Sequence, residues 1–159
     1  MMPNTGLDHP APMPAAQELN GIFPFFAQHE LETFLPYLTL KEWPAEQVIM
    51  RDGDPGDFMG FLLAGKLAVK KETSFPGKYI LVAVIEPGSM VGEISVVEKG
   101  QRSATVVTME NSRLLVLSFE AMERMLLENN ELAVKLLKRI IHVLGYRLRK
   151  ASERLSWIL

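Results

Sequence analysis

Glu93 and Arg102 stand nine positions apart in GEISVVEKGQRSATVV, Gly92–Val107, the first directly after a glycine and the second directly before Ser-Ala-Thr. Gly92-Glu93-Ile94-Ser95 can end a strand and open a short helical turn, whose free amide N–H groups would form an anion-binding nest. Arg102 offers a planar fork of donors that matches two phosphate oxygens at once. Ser103 adds a hydroxyl and a backbone N–H beside it. Glu93, an acceptor when ionised, suits a neighbouring hydroxyl such as a ribose 2′-OH, a role that acids play in other nucleotide sites. One anionic phosphate fused to a sugar with a free 2′-OH would satisfy every group. An internal ion pair between Glu93 and Arg102, shoring up the loop, is the alternative. The residues alone leave both readings open.

Other chemistry is poorly supported. The three histidines, His9, His29 and His142, fall in the tail and in two helical stretches, away from any expected strand, so no imidazole set converges on a metal. The chain has no cysteine, which removes disulfides and thiolate ligands. Nucleophile-elbow, P-loop and dinucleotide fingerprints are also lacking. The expectation is a binding domain and not an enzyme, with neither cofactor nor metal. No apolar run approaches the roughly 18 residues of a membrane span, and the first seventeen residues carry no basic start or apolar core of a signal peptide. A cytoplasmic location and no membrane partner are expected.

The elements that must hold these residues are short. From Gln47 to Phe119, the runs QVIM, FMGFLLA, KLAVKKE, YILVAVI, ATVVTM and RLLVLSF alternate with the turn stretches DGDPGD, AGK, SFPGK, EPGS and MENS. Such spacing predicts a mainly β fold with flanking helices, an antiparallel β-roll or jelly-roll. Leu19–Leu38 has helical spacing broken by Pro24 and Pro36, predicting one or two short helices. Ser118 is placed to cap another, and a long C-terminal helix starts near Asn130. Along it Val134, Leu137, Ile141, Leu144, Leu148, Ala151, Leu155 and Ile158 alternate by three and four residues, a coiled-coil seam. Leu132, Leu136 and Ile140 form a second apolar face. One face for the domain and one for a partner helix predicts a homodimer. Between Lys135 and Arg154 seven basic residues face only Glu153, so the helix is basic while the whole chain is −2. We expect a tail over residues 1–18, a β-roll with short helices over 19–130 and a lid or dimerisation helix over 131–159.

GEIS followed after six residues by RSAT resembles the phosphate-binding cassette of the cyclic nucleotide-binding domain family, found in Crp/Fnr-type regulators, kinase regulatory subunits and gated channels. RDGDPGD with Gly65 in LLAGKLAV, EPGSMVGE, and RLLVLSFEAMERML before a long helix extend the resemblance from about Leu19 to Leu155. It implies a double-stranded β-helix that binds cyclic AMP or cyclic GMP and reports occupancy through its C-terminal helix. By the same resemblance Gly92 gives room for the sugar-phosphate, Glu93 accepts from the ribose 2′-OH, and Arg102 neutralises the phosphate with Ser103 as a second donor. Ile94 and Ser95 belong to the cassette, Val69, Val82, Ile85 and Ala104 pack around sugar and base, and Ser152 reaches the base from the long helix. Ala151 stands where a polar neighbour is usual, which puts base selectivity in doubt; Val91 and Gly60 replace frequent aromatics. The chain ends at ERLSWIL without the helix-turn-helix of Crp/Fnr transcription factors, so no sequence-specific DNA binding by this chain is expected. Two other readings are a degenerate family member serving as an interaction scaffold, and the sensory part of a longer transcription regulator.

Overall fold

Short runs rich in β-branched and aliphatic residues account for eight strands in the computed structural model, which describes residues 12–159. They are β1 (Leu38–Trp43), β2 (Val48–Met50), β3 (Phe58–Ala64), β4 (Leu67–Glu72), β5 (Tyr79–Ile85), β6 (Met90–Val91), β7 (Thr105–Thr108) and β8 (Ser112–Ser118). Two four-stranded antiparallel sheets result, ordered β1-β8-β3-β6 and β2-β7-β4-β5, the arrangement of a jelly-roll. Trp43, Ile49, Met50, Leu62, Leu67, Ile85, Val91, Val106, Leu114 and Val116 make one apolar cluster drawn from both sheets. Burial of such side chains contributes roughly 1.5–3 kcal/mol each.

The helices are α1 (Ala16–Ile22), α2 (Gln28–Phe34), α3 (Glu93–Glu98), α4 (Phe119–Glu128) and α5 (Asn130–Ser156), with a 3-10 turn over Leu35–Tyr37. α1 and α2 flank Pro24, as the sequence predicts, and Phe23 sets its ring edge-on to Phe61 of β3 at 4.8 Å. α1 begins at Ala16, inside the stretch read as tail, and residues 1–11 of that stretch, with His9, lie outside the described residues. The Ser118 hydroxyl accepts from the Ala121 amide at 3.0 Å, so the expected cap opens α4.

Two strands differ from expectation. β1 falls where the sequence reading leaves no strand, and it pairs with β8 from Leu38↔Leu117 to Trp43↔Ser112. Its burial pattern is irregular, so alternation does not announce it. β6 is two residues long and takes its register from β3, Gly60↔Val91 and Phe61↔Met90. Gly60 is fitted to the core, because a Cβ there would lie 2.6 Å from a Leu114 methyl. β5 is an edge strand whose Tyr79, Ile80, Leu81, Val82 and Val84 remain exposed.

The described chain parts into two compact units, the first ending at Met122 and the second covering Glu123–Leu159. In the second, Leu132, Ala133, Leu136 and Ile140 of α5 are buried, whereas Val134, Ile141, Leu148, Leu155 and Ile158 are exposed. Among the described residues no helix is long and apolar enough to cross a membrane.

Candidate functional site

Gly92 carries the turn from β6 into α3 with φ 77°, the left-handed region that glycine occupies at little cost. That turn leaves the Gly92 carbonyl facing the Arg102 side chain, and Nη1 donates to it at 3.2 Å. The preceding loop, residues 51–57, fixes Arg102 from the backbone side. The Arg102 amide donates to the Asp54 carbonyl at 2.7 Å, and the Gly53 amide donates to the Arg102 carbonyl at 2.9 Å. The Gly56 amide donates to the Gly100 carbonyl at 2.9 Å, and Pro55 bridges Gln101. The RDGDPGD stretch is therefore the backbone partner of the segment that carries the arginine.

Both charged residues singled out from sequence are interior. Glu93 is 3% and Arg102 5% exposed, so neither points into bulk solvent. Nη1 of Arg102 also donates to Ser95 Oγ at 2.8 Å, and Nη2 donates to the Phe58 carbonyl at 2.6 Å. The guanidinium lies 4.8 Å from the centroid of the Phe58 ring, which itself stacks on Trp43. Asp57 is 3.6 Å from Nη2, but its side chain is 75% exposed. Burial pushes the guanidinium below its ordinary pKa, while Asp57 and, after it, Glu93 pull the other way. The sequence reading has the fork open towards a ligand; in the structure it is engaged by the protein's own acceptors.

The remaining residues sit around this centre. Ser95 is buried, with its hydroxyl donating to the Gly92 carbonyl at 3.3 Å, and Ile94 is exposed on the outer side of α3. Ser103 is exposed, and its carbonyl accepts from Lys71 Nζ at 2.6 Å; that ammonium also meets Asp52 at 3.0 Å. Ala104 and Val69 are half-buried, and Val82 is exposed on β5. Ile85 belongs to the core cluster. Ser152 is exposed on the last turns of α5, in the second compact unit. Among the described residues no group of three or more His, Cys, Asp or Glu side chains is placed to hold a metal ion.

Sequence reasoning missed Asp57, Phe58 and Lys71. Asp57 was within reach as the last acid of RDGDPGD. Phe58 acts through its carbonyl and ring face, and a backbone acceptor leaves no trace in residue type.

Comparison with known proteins bears on the family and the fold. Residues 40–129, more than half of the chain, match the family model described as "Cyclic nucleotide-binding domain". The chain is 24% identical over 136 residues to the CRP-like cAMP-activated global transcriptional regulator of Mycobacterium tuberculosis, covering 86% of this chain and 58% of that one. It is 29% identical over 123 residues to the cyclic AMP receptor protein of Thermus thermophilus, covering 75% of this chain and 56% of that one. The chain thus spans less than two thirds of the length of these relatives. A cyclic nucleotide-binding domain from Methylobacillus flagellatus superposes with a TM-score of 0.80 at 24% identity, covering 95% of this chain and 85% of that chain. With the jelly-roll in place and the family model matched over residues 40–129, the chain belongs to the cyclic nucleotide-binding domain family.

Proposed function

We propose that this domain binds a cyclic nucleotide, cyclic AMP or cyclic GMP, leaves it chemically unaltered, and signals occupancy through α5. The observation that carries the reading is the environment of Arg102. A guanidinium almost wholly out of water hydrogen-bonds to two carbonyls and a hydroxyl, and the Asp57 carboxylate 3.6 Å from Nη2 is mostly solvated. Neutral acceptors take up these donors, and the charges of Asp57 and Glu93 offset only part of the cost of burying the cation, which favours the arrival of a further anion. Glu93, buried at the start of α3, supplies the acceptor expected for the ribose 2′-OH, and Ser103 stays accessible as a second phosphate donor. Val69, Val82 and Ala104 are offered as the apolar walls.

A homodimer through the exposed seam of α5 and a cytoplasmic setting complete the proposal. No metal or cofactor is required by it. A second reading, the sensory part of a Crp/Fnr-type transcription regulator, is favoured by the names of the relatives.

Calorimetric titration of cyclic AMP and cyclic GMP against the protein and its Arg102→Ala variant tests the phosphate site. Hydrogen bonds to charged groups contribute roughly 1.5–3 kcal/mol each, so loss of a bidentate contact weakens binding by about 10²-fold or more. Equal binding by variant and parent refutes the assignment.

A further inference from the structure

Three acceptors hold the Arg102 fork, and they differ in how easily they can leave. The Phe58 carbonyl belongs to β3, which is paired on both sides, and the Gly92 carbonyl belongs to the left-handed turn into α3. Moving either one breaks backbone structure. The third is the hydroxyl of Ser95, which can depart by rotation about a single side-chain bond. It has a second engagement in place, since Ser95 Oγ already donates to the Gly92 carbonyl. The site is built closely around it: a Cβ on Gly56 would overlap the Ser95 side chain. Both Nη1 hydrogens are spoken for by Gly92 and Ser95, whereas Phe58 takes one of the two on Nη2 and the mostly solvated Asp57 lies 3.6 Å from that nitrogen. An incoming phosphate that grips the fork end-on, through Nη1 and Nη2 together, must therefore displace Gly92 or Ser95 from Nη1.

We infer that the Ser95 hydroxyl is a stand-in for a ligand phosphate oxygen, occupying Nη1 of Arg102 and surrendering it when a phosphodiester enters. The inference rests on the reading of Arg102 as the phosphate anchor. Ser95 is on this account a positioning residue that sets affinity through the unliganded state. An interaction made only without ligand opposes binding by its own strength, because a ligand shifts an equilibrium only by its differential interaction with the two states. The same interaction keeps a buried cation satisfied while the site is empty. Stability and affinity should therefore respond to Ser95 with opposite signs.

The test uses Ser95→Ala and Ser95→Gly, melted without ligand and titrated with cyclic AMP and cyclic GMP, beside wild type and Arg102→Ala. The expected result is a lower melting temperature for both Ser95 variants together with binding about tenfold tighter than wild type. A serine that only supports the fold gives a lower melting temperature with equal or weaker binding, and that result overturns the inference. A crystal structure of the wild-type complex is an independent check. Ser95 Oγ must have moved beyond hydrogen-bond distance of Nη1, and a retained bond overturns the inference whatever the variants do. If Arg102→Ala binds like wild type, the anchor itself has failed; if Arg102→Ala loses binding and the Ser95 variants do not gain it, the stand-in alone has failed.

Discussion

Arg102 and Glu93 stood out in the sequence by the small residues beside them, and both prove to be buried. Their partners did not stand out, because two of the three acceptors on Arg102 are backbone carbonyls brought close by the fold. The roles of the two charges separate by chemistry. Arg102 acts on the phosphate, common to every cyclic nucleotide, whereas Glu93 is assigned to a hydroxyl that only the ribose form carries. Glu93→Gln keeps the shape and an acceptor oxygen but removes the charge that strengthens the hydrogen bond. The wild-type protein should prefer a cyclic ribonucleotide to its 2′-deoxy analogue, and the variant should lose about tenfold of that preference. Competition titrations with the two analogues measure it; a variant that discriminates as well as the parent removes Glu93 from the sugar site.

At the scale of elements, the sequence disclosed what periodicity and turn chemistry encode. Ser118 capped α4, α5 began at Asn130, and the Gly-Glu step turned from strand into helix. β1 stayed hidden, and of β6 only its end at Gly92 was read, for different reasons. Leu38 and Leu40 alternate, but Trp43 breaks the period, and only pairing along β8 makes the segment a strand. Two residues of β6 are too few to show any period. Gly92 joins element to site. A Cβ there would stand 2.6 Å from Arg102 Nη1 and 2.7 Å from Met50 Cε, at a φ of 77°. The methionine end can yield, but the guanidinium is pinned on three acceptors. Gly92→Ala should cost roughly 1–2 kcal/mol from the left-handed backbone and should also displace the fork. Thermal melts and nucleotide titrations should fall together, and a variant that melts low yet binds normally would separate the turn from the site.

For the whole molecule, the burial of α5 divides along the two apolar faces read from its sequence. Leu132, Leu136 and Ile140 are buried, and the exposed seam includes Ile141, at 67%, and Leu148, at 69%. A run of exposed apolar residues on one helical face calls for a partner, and a heptad seam is self-complementary in a two-fold pair. A ligand can report only by shifting an equilibrium between states that it binds unequally. If dimerisation and nucleotide binding are coupled, they are coupled reciprocally, so ligand strengthens or weakens pairing by the factor by which pairing alters ligand affinity. Ile141→Lys with Leu148→Lys places two charges in the seam while leaving the buried face untouched. Sedimentation equilibrium should read twice the 17.9 kDa chain for wild type and the single chain for the double variant. Repeating both with saturating cyclic nucleotide measures the coupling. A wild-type chain that sediments as a monomer at every concentration removes the dimer from the account. A dimer whose dissociation constant ignores ligand removes α5 pairing as the means of report.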